Sequence, residues 1–565
     1  MTAVAATLAK PSWARCPSCG TMLYHKKLAR NFQVCPDCGD HLRLTAAERI
    51  EQLADPGTVR YFAEQVWPTD PLEFTDSVPY PKRLAKAQHA SGLPDAVRCA
   101  TAAIGGVEVC LAVMDFRFMG GSLGCAAGEM ITRAAETALA LRSPLLIVTA
   151  SGGARMQEGV LSLMQMAKVS QAIGQLQETG LLTVSVITDP TYGGVAASYA
   201  TNCDVVVIES GARMGFAGPR VIEQTIRQDL PKNFQNADFL MRHGQVDAVQ
   251  SRRELRGWLL RLLSSTEAGA VGVDFESDRV LVRDPGDLPV ADPLRVVASA
   301  RDVRRPTTLE YIGQIFDGFV ELHGDRTFGD CAAIVAGFAR FHGQPVAVVG
   351  HQKAHDTKEL VARNFGMPRP EGYRKALRVM RLAAQLGLPV VSLVDTPGAY
   401  PGIDAEERGQ SGAIAQSILA MSSLPTPLVT VVTGEGGSGG ALALAVSDRV
   451  MMMADGFYSV ISPEGCAAIL WGSSDSASEA AAGLRITARD LLRQGVVDGV
   501  IPEPDGGVPA QPARAAQLLD AALAEVLPEL LAMTGQQLVE ARRRRFRAFG
   551  TDCVISDESQ EGGAA

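Results

Sequence analysis

Four cysteines near the amino terminus have the residue type and spacing of a metal site. They form two C-x-x-C pairs, Cys16 with Cys19 and Cys35 with Cys38, and 15 residues separate the pairs. Zn²⁺ is held tetrahedrally by four thiolates, and one C-x-x-C turn supplies two of them. The pattern therefore predicts a structural zinc site in a ribbon over residues 12–52. The alternative is a redox C-x-x-C, which two copies at this spacing disfavour.

Glycine pairs follow several strand-like runs and indicate chemistry performed by the backbone. They occur in TASGGAR (149–155), TDPTYGGVAASYA (188–200) and TGEGGSGGALALA (433–445), and VDTPGAYPG (394–402) is a related loop. A Gly-Gly pair between a strand and a helix admits a ligand close to the backbone and leaves N–H groups at the positive end of the helix dipole. Such donors suit a phosphate or a developing oxyanion.

Two other interpretations of these glycines must be weighed. Residues 434–439 fit G-x-G-x-x-G, and Asp455 follows about 20 residues on, as in a dinucleotide cradle. The other half of the chain repeats the Gly-Gly pair but not that pattern, so we expect no NAD. Tight packing of helix on strand is the structural alternative. The candidate oxyanion donors are Gly152, Gly153, Gly193, Gly194, Gly439 and Gly440, with Ala441 as a further candidate.

Strand and helix patterns alternate over residues 53–263 and again over 294–550, which predicts two α/β domains with largely parallel sheets. The elements follow the same order in both halves, and each half carries G-x-V-D-x-V, at 244–249 and at 495–500. The halves therefore read as two copies of one unit. Residues 264–293 are rich in Gly, Asp and Pro and are predicted to be a linker, and 551–565 a disordered tail.

Composition excludes several classes of protein. The formal net charge of −9 over 565 residues argues against a chain built as a whole to bind nucleic acid. No secretory signal and no apolar run long enough to cross a membrane is visible, so we expect a cytoplasmic protein. Seven of the eleven cysteines are scattered and are expected to be small core residues.

Longer motifs resemble a known family, the bacterial and plastid acetyl-CoA carboxylase carboxyltransferases. The ribbon, FMGGSLG (118–124), SGGARMQEG (151–159) and GFAGPRVIEQ (215–224) resemble its β subunit. The second half resembles its α subunit through LHGDRTFGD (322–330), GHQKAHDTKE (350–359), RNFGMPRPEGYRKALR (363–378) and SVISPEGCA (459–467). The resemblance covers about residues 12–545 and places both subunits in one chain, with β first.

The resemblance implies a crotonase-like spiral of ββα units in each half, and an enzyme that moves a carboxyl group from carboxybiotin to acetyl-CoA to give malonyl-CoA, the committed step of fatty acid synthesis. Both the thioester and the biotin ureido carbonyl gain negative charge in that reaction, so two oxyanion holes are expected. The pairs 152–153 and 193–194 are then assigned to the thioester, and Gly439 with Gly440 to carboxybiotin.

Partners follow from the same resemblance. We expect a separate biotin carrier, a separate ATP-using biotin carboxylase, and a homodimer of fused chains, with RNA binding by the ribbon as a minor prospect. Basic residues are candidates for contacts to the CoA phosphates, with a solvated face as the alternative: Arg155, Lys353, Lys358, Arg374 and Lys375. The competing functions are a carboxylase of propionyl-CoA or longer acyl-CoA, a zinc-ribbon protein that binds nucleic acid, and an NAD-dependent dehydrogenase.

Overall fold

The computed structural model describes residues 13–267, 275 and 278–550. The chain divides into two compact units, Met1–Ser264 and Ser265–Ala565, called unit 1 and unit 2 below. The predicted tail, 551–565, lies outside the described residues, as do 268–274 and 276–277 of the predicted linker. No helix among the described residues is long and apolar enough to cross a membrane.

Unit 1 alternates strands and helices after a short amino-terminal hairpin. Its strands β1–β10 are Trp13–Arg15, Met22–Tyr24, Arg60–Phe62, Val97–Ile104, Val107–Met114, Leu145–Ser151, Thr183–Tyr192, Val205–Glu209, Met214–Gly215 and Ala248–Gln250. Its helices α1–α10 are His25–Arg30, Ala46–Leu53, Tyr80–Ser91, Cys125–Leu141, Val160–Glu178, Gly193–Ala196, Tyr199–Asn202, Pro219–Ile226, Ala237–Arg242 and Arg252–Thr266.

Unit 2 repeats this alternation and ends in two longer helices. Its strands β11–β18 are Asp317–Glu321, Ile334–Phe341, Gln344–His351, Val390–Thr396, Leu428–Gly437, Arg449–Met453, Phe457–Ser459 and Gly499–Ile501. Its helices α11–α22 are Pro293–Ala300, Thr308–Ile315, Thr357–Ala362, Pro370–Gln385, Ile403–Glu407, Gln410–Met421, Ser438–Leu442, Pro463–Leu470, Ala477–Leu484, Ala488–Arg493, Pro512–Leu531 and Gly535–Ala548.

The two sheets share one topology, which confirms the predicted duplication. In unit 1 the order is β10-β8-β7-β6-β5-β4-β3 with β9 beside β7, and in unit 2 it is β11-β12-β13-β14-β15-β16-β18 with β17 beside β15. The first three strands of each sheet pair antiparallel and the others pair parallel. Both sheets are therefore mixed, with the predicted parallel part running from the middle of the sheet to one edge.

The central strands are buried along their whole length, because helices cover both faces of a parallel sheet. Every residue of β6, LLIVTAS, and of β15, LVTVVTGEGG, is buried. In unit 1, α4 contributes Ala127, Ile131 and Ala135 to the core under β5 and β6. This packing fixes where each strand ends, and the glycine loops begin at those ends.

The predicted linker contains residues that pack on unit 2. Val282 and Val500 exchange two backbone hydrogen bonds, each of 2.9 Å, and the backbone N–H groups of Val280 and Leu281 donate to Glu525 Oε2 at 3.0 and 3.2 Å. A single backbone bridge is too short to produce a periodic pattern of hydrophobic residues. The sequence of this segment therefore shows only the Gly, Asp and Pro residues that are typical of a linker. Residues 280–282 are part of unit 2 rather than a free connection.

Candidate active site and zinc centre

The four predicted metal ligands come together. All four sulfur atoms lie within 4.8 Å of one another, and the Sγ atoms of Cys16 and Cys38 and of Cys19 and Cys35 are 3.7 and 3.8 Å apart. A tetrahedral zinc site with bonds of about 2.3 Å requires sulfur atoms about 3.8 Å apart, so the arrangement fits Zn²⁺. The protein thus has a structural zinc centre held by four cysteines.

Each C-x-x-C turn is built the same way. Gly20 and Gly39 follow the second cysteine of each pair, have φ of +78° and +75°, and donate their N–H to the carbonyls of Cys16 and Cys35 at 3.0 Å. A residue with a Cβ is strained at such a φ, which explains glycine at both places. Arg252 of α10 donates to the Leu42 carbonyl at 2.6 Å and so fastens the ribbon within unit 1.

In unit 1 two glycine loops meet at the carboxyl ends of β6 and β7. Gly153 has φ +122° and donates its N–H to Ser151 Oγ at 3.0 Å, which closes a tight turn. Gly193, at φ +60°, begins α6, and a Cβ added to it would lie 3.1 Å from the Gly153 Cα. Side chains at these positions would separate the loops. The two glycine loops are therefore in close contact.

Most of the predicted donors in unit 1 already have acceptors. The N–H groups of Gly152 and Gly193 donate to the carbonyls of Gly120 and Phe216, at 2.8 and 2.9 Å, and that of Gly153 is used in the turn. Of the four predicted donors, the N–H of Gly194 is the one left for a substrate, because Gly194 is in the first turn of α6 and the N–H groups of a first helical turn have no partner within the helix. The adjoining loop adds another donor, because the backbone N–H of Ala154 donates to no residue that the structure describes.

Unit 2 has the same pair of loops. The residues that correspond to Gly193 and Gly194 lie one position earlier in the chain than the Gly439-Gly440 pair that the sequence suggested. Gly398, at φ +148°, donates to Thr396 Oγ1 at 3.1 Å, as Gly153 does to Ser151. The strand register pairs Thr396 with Gly436 and Ser151 with Thr191. Counting from these pairs puts Ser438, at φ +56°, in the place of Gly193, and Gly439 in the place of Gly194.

The donors of unit 2 follow from that register. Gly439 is in the first turn of α17, and the backbone N–H of Ala399 donates to no described residue, like that of Ala154 in unit 1. Gly440 brings the two loops together, since a Cβ there would lie 2.4 Å from the Ala399 nitrogen. Ala441 is fully buried and lies beyond the first three helical residues, so helix geometry uses its N–H internally.

Comparison with known proteins matches family models to the ribbon and to both α/β parts of the chain. Residues 13–38 match an acetyl-CoA carboxylase zinc finger domain, 43–268 a carboxyl transferase domain, and 290–550 an acetyl co-enzyme A carboxylase carboxyltransferase-like domain. The acetyl-coenzyme A carboxylase carboxyl transferase subunits beta/alpha of Salinispora arenicola is 58% identical over 549 residues, 95% of this chain and 96% of that protein. The chain belongs to the acetyl-CoA carboxylase carboxyltransferase family.

More distant relatives agree with this carboxyltransferase assignment. The protein of the same name from Clostridium tetani is 42% identical over 551 residues, 96% of this chain and 95% of that one. A solved structure of transcarboxylase 12S superposes with a TM-score of 0.67 at 24% identity and covers 86% of this chain and 90% of that one. That likeness supports the predicted fold of the two crotonase-like domains, and the match at residues 13–38 supports the zinc ribbon that precedes them.

Arg155 of the carboxyltransferase is not placed to bind a phosphate. Its side chain is fully buried, and its guanidinium donates to both oxygens of Asp95 at 2.7 and 2.6 Å and to Glu158 Oε1 at 3.2 Å. Burial alone would lower the pKa of Arg155, but these carboxylates raise it above its ordinary value. The expectation of a CoA contact is corrected: Arg155 follows Ala154 and anchors the loop from inside.

The predicted basic group of unit 2 is divided among internal ion pairs. Lys375 is fully buried on Asp330 Oδ1 at 2.7 Å, and Arg374 pairs with Asp325 Oδ2 at 2.7 Å. Burial would raise the pKa of Asp330, yet Lys375 and then His323 hold it well below its usual range. These cations therefore do not form one phosphate-binding surface in this structure.

The other two members of that basic group differ from each other. Lys353 contacts two carboxylates, Asp395 Oδ1 at 2.8 Å and Glu435 Oε2 at 2.7 Å. Lys358 is exposed on α13 and, among the described residues, has no carboxylate within ion-pairing distance. Of the five predicted basic residues, only Lys358 is both exposed and without a carboxylate partner among the described residues, as a contact to the CoA phosphates requires.

Sequence reasoning missed two backbone positions of the site, Ala154 and Ser438, neither of which belongs to a Gly-Gly pair. The third position outside such a pair, Ala399, lies in the 394–402 loop that the sequence had already related to the glycine loops. A usable signal was present, because Gly-Ala occurs at 153–154 and again at 398–399, at the same distance from the end of the preceding strand.

Proposed function

We propose that the protein transfers the carboxyl group of carboxybiotin, presented on a separate carrier protein, to acetyl-CoA. The methyl carbon of the acetyl group loses a proton and gains the carboxylate, while N1′ of biotin loses the carboxylate and gains the proton. Malonyl-CoA is the product. The observation that carries this proposal is the same pair of backbone N–H donors in both units, without acceptors among the described residues, since two carbonyl oxygens gain negative charge during the reaction.

In this proposal the donors of Ala154 and Gly194 hold the thioester oxygen, and those of Ala399 and Gly439 hold the ureido oxygen. Losing a backbone or side-chain donor of this kind costs about 3 kcal/mol of transition-state stabilisation in measured cases. The donors directly follow the ends of buried strands and are fixed before substrate arrives, so no reorganisation is needed during the reaction. Side chains with nucleophilic chemistry are not required at either place.

A cavity in unit 1 supports the assignment of the acyl-CoA to that unit. It has a volume of about 300 Å³ and lies between the zinc ribbon and the carboxyl ends of the strands. Ala150, which directly precedes the Ser151 turn, lines it together with Arg43, Arg49 and Arg252. A phosphate would meet the exposed Arg43 there, since Arg49 and Arg252 are buried and paired with Glu209, and the thioester would lie toward the glycine loops.

The deciding experiment is malonyl-CoA-dependent carboxylation of biocytin by the purified, zinc-loaded protein. We expect acetyl-CoA to form in proportion to carboxybiocytin. A folded protein that forms neither product would refute the proposal. In the forward direction, acetyl-CoA is compared with propionyl-CoA on the carboxylated carrier, and a higher kcat/KM for propionyl-CoA would favour the competing carboxylase. Biotin carboxylase and the carrier are expected as separate cytoplasmic partners.

We also propose a homodimer of fused chains. Large apolar side chains are exposed beside the glycine loops of each unit, including Met156 and Phe216 in unit 1 and Ile403 and Val460 in unit 2. Exposed apolar clusters of this kind mark protein interfaces. Light scattering after size exclusion should give twice the chain mass, and a monomer with full activity would contradict the proposal.

Binding of RNA by the ribbon is a separate proposal. Lys26, Lys27 and Arg30 are exposed on α1, and basic groups on one helix suit phosphates. Filter binding at increasing salt tests it. Affinity that does not fall with salt, or that survives replacement of all three residues by Gln, would dismiss it.

A further inference from the structure

Three charged side chains form a triad where the loops of unit 2 begin, with Glu435 buried and Lys353 and Asp395 half-buried. The Lys353 ammonium lies between Asp395 Oδ1 at 2.8 Å and Glu435 Oε2 at 2.7 Å. Asp395 Oδ1 also accepts the backbone N–H of Glu435 at 2.9 Å, so the same carboxylate links the two strands directly. Arg301 adds a second cation to Glu435, with Nε at 2.6 Å from Oε1.

The backbone around the triad is shaped to admit it. A Cβ at Gly434 would lie 2.6 Å from Asp395 Oδ1, and a Cβ at Gly366 would lie 2.8 Å from Lys353 Cγ. Gly366 also has φ +75°. Both positions exclude an ordinary side chain because the charged groups occupy that space. The triad is therefore a built feature rather than a chance contact of long side chains.

The triad adjoins both loops that carry the proposed donors. Asp395 directly precedes Thr396, whose hydroxyl closes the turn before Ala399, and Glu435 lies four residues before Gly439. Between the paired residues Val394–Val432 and Thr396–Gly436 the strand register shifts, so one residue on β14 faces three on β15. Asp395 and Glu435 are both in this irregular stretch, where the ladder itself does not fix the spacing of the strands.

Unit 1 has the same irregularity but a different anchor. Its register shifts between Thr149–Ile187 and Ser151–Thr191, and the positions of Asp395 and Glu435 are taken by Ala150 and Pro190. Phe116, two residues after the end of β5, stands where Lys353 stands after β13. Unit 1 has a cation between two carboxylates at a different position. It is Arg155, which directly follows the Ala154 donor and pairs with Asp95 and Glu158.

We propose that Lys353 is a positioning residue for the carboxybiotin side of the reaction. By bridging Asp395 and Glu435 it fixes the separation of the loops that bear the Ala399 and Gly439 donors, as Arg155 anchors the corresponding loop of unit 1. This inference rests on the proposed function, because it takes those donors to hold the ureido oxygen. It replaces the phosphate contact that the sequence suggested for Lys353.

The test compares Lys353→Met with wild type in malonyl-CoA-dependent carboxylation of biocytin. We expect kcat to fall by about 10- to 100-fold, the effect of misplacing catalytic groups by a fraction of an ångström to an ångström, with KM for malonyl-CoA unchanged because unit 1 is intact. Lys353→Arg keeps the charge and should recover part of the kcat. The matched control is Arg542→Met, which removes a fully buried cation of α22 that pairs with Asp448 at 2.7 Å.

Several outcomes would overturn the inference. They are a kcat for Lys353→Met within about two-fold of wild type, a loss no larger than that of Arg542→Met, or a higher KM for malonyl-CoA at unchanged kcat. If Lys353→Met does not fold, Lys353→Met/Asp395→Asn/Glu435→Gln removes the unpaired charges and decides by the same kcat. An inactive wild type would refute the proposed function instead, so the two failures are distinguishable.

Discussion

Replacing Gly440 by alanine tests whether the second pair of donors is catalytic. A Cβ at this position would lie 2.4 Å from the Ala399 nitrogen and 2.8 Å from the Tyr373 hydroxyl, whereas ordinary contacts begin at 3.4 Å. The loop that bears Ala399 must therefore move by about 1 Å. A displacement of that size in a catalytic group can cost about 100-fold in rate, which corresponds to about 2.7 kcal/mol of activation free energy.

The assay is malonyl-CoA-dependent carboxylation of biocytin, with kcat and KM for malonyl-CoA measured separately. We expect Gly440→Ala to lower kcat by about 100-fold and to leave that KM unchanged, because the change is confined to unit 2. Gly412→Ala in α16 is the control, since no atom lies within 4 Å of the added Cβ. A folded Gly440→Ala protein with wild-type kcat would refute the assignment of the Ala399 donor.

Three further predictions concern the metal, a buried ion pair and pH. Cys16→Ser should abolish the bound zinc seen by elemental analysis and expose the ribbon to limited proteolysis, and retention of one zinc per chain would contradict the four-cysteine site. Arg155→Met leaves Asp95 and Glu158 buried without their cation, so we expect a loss of about 3–5 kcal/mol of stability in calorimetry, with KM for acetyl-CoA unchanged. The Val303 carbonyl and then Glu310 raise the pKa of His355, so its stabilising contribution is complete below the ordinary histidine pKa and is lost as pH rises through the raised value. His355→Asn should flatten that part of a stability–pH profile, and an unchanged profile would exclude the pair as its cause.

The sequence was sufficient for features encoded by local spacing. The zinc ligands, the central strands and the duplication are all recorded in short motifs whose geometry is fixed by neighbouring residues. The one-residue error at Ser438 has a specific cause. The sequence comparison aligned the Gly-Gly pairs of the two halves. In the structure the corresponding residues are those with the same backbone conformation, and Ser438, with φ +56°, takes the place of Gly193 although it is not a glycine.

The cations could not be assigned from sequence because their partners are distant along the chain. Lys353 and Asp395 are 42 residues apart, Lys375 and Asp330 are 45, and Arg374 and Asp325 are 49. A basic residue next to a glycine loop has the same local pattern whether it faces a substrate or an internal carboxylate. Only the fold, which brings the ends of β13, β14 and β15 together, distinguishes the two.

The differences between the two units indicate what the catalytic chemistry depends on. Unit 1 anchors its loop with Arg155 on Asp95 and Glu158, and unit 2 with the triad of Lys353, which comes from another strand end. The side chains around the loops differ, yet the turn geometry at residues 151–153 and 396–398 and the free N–H one residue later are the same. If side chains performed the reaction, two sites that handle different carbonyl compounds would be expected to differ in their turns as well. The shared part is backbone, which agrees with two oxyanion holes that stabilise the same change of charge on two substrates.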